Sequence, residues 1–196
     1  MADRYLVKLV RLIPNLISIF RLCLVPFVLR AIWNREYEWA LAGCFIAGVS
    51  DYLDGLIARR FKAQTRAGAL LDPLADKLLL TGTYMMLGYD RAMPMWLSAT
   101  VVGRDFIMLL FFTYVFLFTK LRDFPPTIWG KMCTALQILT ALTFLASGIM
   151  YMGPREMEIK NVLAWTTAIL TAGSAIHYFF IGMAKILRDR RTMAAI

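Results

Sequence analysis

The stretch "SDYLDGLIARRFKAQTRAGALLDPLADKLLL", Ser50 to Leu80, sets four aspartates, Asp51, Asp54, Asp72 and Asp76, into two apolar runs separated by a basic segment. Carboxylates in apolar surroundings are costly unless something neutralises them, so four of them need a purpose. Positions i, i+3, i+4 and i+7 of a helix share one face, which puts Asp51, Asp54, Gly55 and Ala58 in one stripe. The next run repeats the device with Gly68, Asp72, Ala75 and Asp76. Two antiparallel helices joined by the intervening loop can turn these stripes toward each other, gathering the carboxylates beside small residues that leave an open volume.

The rest of the chain says what solvent surrounds that site. The 196 residues are 60% hydrophobic and only 18% charged, with a mean hydropathy of +0.62, which is the profile of a membrane protein. Six apolar runs, near 13–33, 37–58, 69–89, 94–119, 127–151 and 161–184, each reach the roughly 20 residues with which a helix rising about 1.5 Å per residue crosses about 30 Å of hydrocarbon. No linker, repeat or low-complexity segment divides them. The expected fold is therefore all-α: one domain over residues 1–196, an integral membrane bundle of six transmembrane helices. Arg4, Lys8 and Arg11 recur at helical spacing opposite Leu6, Leu9, Val10 and Ile13, which predicts an N-terminal interfacial helix on anionic lipid. Arg21 and Arg30 interrupt the first apolar run and no small-residue cleavage site follows, so the first span is expected to be retained.

Lys and Arg are unevenly distributed. Arg4, Lys8, Arg11, Arg59, Arg60, Lys62, Arg66, Lys120, Arg122, Lys131, Lys185, Arg188, Arg190 and Arg191 fall on one set of loops; Arg35, Arg91, Arg155 and Lys160 fall on the other. This asymmetry predicts both termini and the 59–68 loop on the cytoplasmic side. The basic excess is thus assigned to topology and lipid headgroups, and no nucleic-acid partner is expected. Arg21, Arg30, Lys77 and Arg104 lie within spans. Cys23, Cys44 and Cys133 are far apart in apolar surroundings and read as packing residues; His177, the single histidine, reads as a packing or interfacial residue.

Four close carboxylates repel one another and need cations. Oxygen donors without His or Cys suit Mg²⁺, Mn²⁺ or Ca²⁺ rather than zinc. A paired-metal site with a carboxylate able to accept a proton suits displacement at phosphorus. The plainer alternative is that the aspartates pair with Arg21, Lys77 or Arg104. A cation transporter is the rival class, but its site is expected near the bilayer midplane within repeated halves, whereas these carboxylates flank the cytoplasmic boundary.

The spacing D-x2-D-G-x2-A-R-x8-G-x3-D-x3-D, met in full by Asp51, Asp54, Gly55, Ala58, Arg59, Gly68, Asp72 and Asp76, resembles the signature of the CDP-alcohol phosphatidyltransferase family. "IPNLISIFR" (13–21) and "WGKMCTALQ" (129–137) are similar to segments of members that make phosphatidylglycerophosphate or cardiolipin. The resemblance implies transfer of a phosphatidyl group from CDP-diacylglycerol to an alcohol, with release of CMP. It further implies two Mg²⁺ or Mn²⁺ ions on Asp51, Asp54 and Asp72. Asp76 would be the base, with some metal contact of its own. Gly55, Ala58 and Gly68 would line a cytidine pocket, with Arg59 near the phosphates.

The acceptor is expected to be of glycerol type. "IPN" near the start resembles members that use glycerol 3-phosphate, while "LDPLADKLLL" followed by "GRDFIML" resembles those that use phosphatidylglycerol. Inositol phosphate and serine fit the flanking segments less well. Arg104, Lys131 and Arg21 are the candidate acceptor-binding cations, with Arg188 beside them, although Arg104 next to Asp105 also reads as a neutralising pair and Arg188 as a topology anchor. A homodimer is compatible with all of these features.

Overall fold

The computed structural model describes residues 2–61, 68–118, 128–150 and 153–194; side chains at 2–15, 54–55, 57–61, 68–73, 112, 114–118, 181 and 183–194 are outside that description. Among the described residues the chain is helical throughout, in six helices: α1 (Ala2–Trp33), α2 (Tyr37–Phe61), α3 (Gly68–Tyr89), α4 (Met95–Phe118), α5 (Ile128–Ser147) and α6 (Glu156–Ala194). α1 packs on α2 and α3. α3 also meets α4 and α5, α2 meets α5, and α6 closes against α4 and α5. The all-α expectation and the helix order hold.

One expectation needs correction and another is met in part. The N-terminal segment is helical but is not a separate interfacial element, because α1 runs unbroken from Ala2 through the first apolar run. No glycine or turn dipeptide interrupts it, and it continues through Pro14 and Pro26. Six helices are present, and among the described residues three stretches are long and apolar enough to cross a membrane: Leu16–Trp33, Ile128–Ser147 and Glu156–Phe180. The continuous stretches of described side chains in α2 (37–53), α3 (74–89) and α4 (95–111) are each shorter than such a crossing needs.

Helix ends follow local chemistry. α1 stops at a turn where Arg35 takes φ 62°, the Arg35 N–H donates to Ile32 O (2.9 Å) and the Glu36 N–H donates to Ala31 O (2.8 Å). This is the pairing of a Schellman cap, with arginine where glycine is usual. α3 ends similarly at Arg91, φ 61°. The two turns lie together: Arg35 Nε donates to Asp90 Oδ1 (2.8 Å), the Tyr37 hydroxyl donates to Asp90 Oδ2, and Trp33 stacks on Tyr89 with ring centroids 5.2 Å apart. α5 ends at Ser147, earlier than its apolar run, in a turn where the Gly148 N–H donates to Leu145 O (3.1 Å), the Ile149 N–H donates to Ala146 O (3.0 Å), and Gly148 lies against the Tyr37 ring. α6 begins earlier than predicted, at Glu156. Its first turns are charged rather than apolar, with Lys160 pairing Glu156 across one turn at 3.3 Å.

The burial pattern is that of a bundle in lipid. Large apolar side chains point outward all around it, among them Phe45, Leu53, Phe106, Leu109, Ile138, Ile169 and Phe180. The interior holds an apolar cluster around Val28, Ile32, Tyr84, Leu97, Val101 and Phe144, together with Ser18, Arg21, Thr83, Arg104, Gln137, Thr140, Thr167, Thr171 and Ser174. When the surroundings are apolar, polar groups gain by turning inward toward one another. Cys44 and Cys133 pack within the bundle, but Cys23 is exposed, correcting its reading as a packing residue, and all three are free thiols. His177 is exposed on α6 with an edge contact to Tyr178.

Candidate active site

α1 buries Ser18, Arg21, Val25, Val28 and Ile32, spaced by three or four residues, and so presents one face to α2 and α3. Arg21 sits near the start of the apolar window of α1 with its side chain 1% exposed. A buried guanidinium there requires anions, and they come from two other helices. Arg21 Nη1 lies 2.9 Å from Asp51 Oδ1 on α2 and 2.9 Å from Asp76 Oδ1 on α3. One nitrogen therefore draws together a carboxylate from each of the two aspartate stripes. Both carboxylates are half exposed, so the arginine closes the inner side of the site while the aspartates face its open side.

Asp54, Gly55, Ala58 and Arg59 lie on the last turns of α2, and Gly68 and Asp72 on the first turns of α3, next to the meeting of Asp51 and Asp76. Their side-chain placement lies outside the described residues. Among those residues no group of three or more metal-ligating side chains is complete. The pair that is described fits a hard divalent cation: both donors are carboxylate oxygens, both are accessible, and both already converge on one positive charge, for which the guanidinium nitrogen acts as a stand-in.

A second charged cluster joins α3, α4 and α6. Asp105 Oδ1 accepts from Lys77 Nζ (2.8 Å) and from Arg104 Nη1 (2.7 Å), and Asp105 Oδ2 accepts from Thr81 (3.3 Å). Arg104 Nη2 donates to Ser174 Oγ (3.3 Å). Arg104 is thus a neutralising partner of Asp105, as one of its two sequence readings expected. Lys77 follows Asp76 directly, so this cluster adjoins the aspartate pair through α3. Lys131, on the first turn of α5, is exposed, and Arg188 lies on α6 with its side chain outside the described residues. Of the cations expected to bind the acceptor, Arg21 and Arg104 are engaged with aspartates and Lys131 faces outward.

A polar seam between α5 and α6 was not anticipated. Gln137 Nε2 donates to Thr171 Oγ1 (3.0 Å), the hydroxyls of Thr140 and Thr167 lie 2.7 Å apart, and Cys133 Sγ is 3.4 Å from Thr171 Oγ1. The Tyr84 hydroxyl ties α3 to this seam by donating to Gln137 O (2.9 Å). The signal was present in the spacing of Cys133, Gln137 and Thr140 on one helix and Thr167, Thr171 and Ser174 on the other, each set recurring every three or four residues.

Known proteins resemble the chain over most of its length. The chain is 30% identical over 193 residues to the cardiolipin synthase (CMP-forming) of Streptomyces coelicolor, covering 93% of this chain and 85% of that protein. It is 30% identical over 183 residues to the CDP-diacylglycerol–glycerol-3-phosphate 3-phosphatidyltransferase of Haemophilus influenzae, covering 89% and 95%. It is 31% identical over 194 residues to the cardiolipin synthase (CMP-forming) of Rattus norvegicus, covering 89% of this chain but only 62% of that longer protein. Residues 11–173, which include both aspartate stripes, Arg21 and the Lys77–Asp105–Arg104 cluster, match the family described as CDP-alcohol phosphatidyltransferase, and the chain belongs to that family.

Proposed function

We propose that this chain is a membrane enzyme of phospholipid synthesis that transfers the phosphatidyl group of CDP-diacylglycerol to a glycerol-type acceptor and releases CMP. The observation that carries the reading is the convergence of Asp51 and Asp76, two half-exposed carboxylates from two helices, on one buried positive charge. Asp51, Asp54 and Asp72 would hold two Mg²⁺ or Mn²⁺ ions, with Asp76 in further contact. Those ions supply neutralisation of pyrophosphate charge. Asp76 takes the proton of the acceptor hydroxyl. The acceptor oxygen then bonds to the phosphorus that carries diacylglycerol, and the bond from that phosphorus to the CMP oxygen breaks. Gly55, Ala58 and Gly68 leave room for the cytidine, and Arg59 stands by the phosphates.

On this reading all six helices span the bilayer. α2, α3 and α4 are able to do so because their charges point inward or lie at the cytoplasmic ends, with both termini and the active site on that side. The outward apolar faces accommodate a homodimer in the plane of the membrane.

The acceptor is glycerol 3-phosphate or phosphatidylglycerol, in keeping with the two kinds of relative. The test offers purified protein CDP-diacylglycerol and Mg²⁺ with glycerol 3-phosphate, phosphatidylglycerol, inositol phosphate or serine, and identifies the lipid product by mass. Phosphatidylglycerophosphate or cardiolipin is expected. A product only with serine or inositol phosphate would overturn the acceptor assignment, and no product with any acceptor would overturn the activity.

A further inference from the structure

Arg21 is engaged by the very side chains proposed to hold metal. Its Nη1 is 2.9 Å from one oxygen of Asp51 and 2.9 Å from one oxygen of Asp76, and the arginine side chain is 1% exposed while both aspartates are half exposed. Binding at the outer surface would need the guanidinium on the open side, but it is on the closed side, anchored on the buried face of α1 between Ser18 and Val25. An arginine keeps its positive charge in such a setting.

Together these observations assign a role distinct from acceptor binding. We propose that Arg21 is a resident cation of the carboxylate site: it holds α2 and α3 together before metal arrives and competes with metal for the same carboxylates. The inference rests on the metal reading given above. Without the arginine, half-exposed carboxylates on two helices that both pack on α1 repel one another. With it, the site is assembled without metal, and an incoming divalent ion must share or displace the contacts Arg21 makes. Arg21 is then a positioning residue for Asp51 and Asp76.

Linkage gives this a signature that an ordinary structural arginine lacks. A residue that stabilises only the metal-free protein lowers metal affinity, so removing it increases both the affinity and the stabilisation that metal confers. The full-length protein in detergent is compared with Arg21→Met, of similar length without charge, and with the milder Arg21→Gln. Thermal midpoints are measured in EDTA and in Mn²⁺, and Mn²⁺ binding is measured directly by electron paramagnetic resonance. Both variants are expected to lose about 5 °C or more in EDTA, to recover most of it in Mn²⁺, and to bind the first Mn²⁺ about tenfold more tightly than the wild type. Arg21→Lys, which keeps the charge, should stay within about threefold of wild-type affinity. Equal losses in EDTA and Mn²⁺, including failure to fold in both, or an Mn²⁺ affinity of Arg21→Gln no tighter than that of the wild type, would overturn the role of Arg21 while leaving the metal reading intact. No Mn²⁺ binding by the wild type would overturn the metal reading itself, and this proposal with it.

Discussion

At the scale of single residues, the aspartates are not equivalent, although the sequence presents them as two similar stripes. Asp76 shares Arg21 with Asp51, follows Pro73 by three positions, and precedes Lys77, which leans away toward Asp105. Asp76→Asn preserves the shape and the acceptor lone pair toward Arg21 but cannot take a proton. It should therefore lower turnover by about 10² or more while CDP-diacylglycerol affinity is retained. A turnover within a few-fold of the wild type would move the base elsewhere. The acceptor cations also separate. Arg104→Ala removes a buried partner of Asp105 and should destabilise the bundle whatever the acceptor, so the exposed Lys131 gives the cleaner test. If glycerol 3-phosphate is the acceptor, Lys131→Ala should raise its KM by about tenfold or more at unchanged thermal stability, in line with about 1.5–3 kcal/mol for a charge-assisted contact. If phosphatidylglycerol is the acceptor, its acyl chains anchor it and the change should matter little.

At the scale of elements, the helices were legible because apolar periodicity and run length determine them, and α2, α3 and α4 begin and end within a residue or two of the apolar runs except where α2 continues through Arg59 and Arg60. The first and last helices were misjudged for one reason: hydropathy marks where a helix meets lipid, whereas hydrogen bonding marks where it stops. Charged turns such as Glu156–Lys160 continue α6 without contributing apolar surface. The contact of Arg21 with Asp51 and Asp76 was only one of several readings, because it depends on how three helices rotate about their axes, which spacing along one helix does not set. Nothing in the spacing announced the link of Arg35, Tyr37 and Asp90 between the turns either. Those turns lie at the end of the bundle away from the α2–α3 loop, and Arg35 and Arg91 both adopt a left-handed conformation that costs about 1–2 kcal/mol without glycine. Asp90→Ala removes the Arg35 and Tyr37 partners together and should cost about 1–3 kcal/mol in thermal unfolding, with metal dependence unchanged. A variant as stable as the wild type would show that the turns hold without their carboxylate. Gly88→Ala tests the same end from inside: its Cβ would stand 2.5 Å from Ser98 Oγ and 2.7 Å from Ser98 Cβ, so α3 and α4 must separate, at about 1–3 kcal/mol.

At the scale of the whole molecule, the fold gathers polar side chains inside beside an apolar core and exposes large apolar ones, which suits a chain in lipid and the proposed joining of a lipid donor to an acceptor. Composition made the membrane setting legible, and the eight motif positions made the family legible. The orientation rests on the arginine and lysine asymmetry and is checked by placing single cysteines at position 64, between α2 and α3, and at position 154, between α5 and α6, of an otherwise cysteine-free protein. A membrane-impermeant thiol reagent outside intact cells should label the second and spare the first, and the reverse pattern would invert the topology. The central claim is that the aspartate site transfers a phosphatidyl group with the help of divalent metal. Its most direct measurement is CMP release from CDP-diacylglycerol by the purified protein, followed with and without a glycerol-type acceptor, in Mn²⁺ and in EDTA, for the wild type and for Asp51→Asn and Asp76→Asn. The account predicts release by the wild type that requires both acceptor and metal, and release lower by about 10² or more in each variant. Acceptor-dependent release that persists in EDTA, or that survives in both variants, would contradict it.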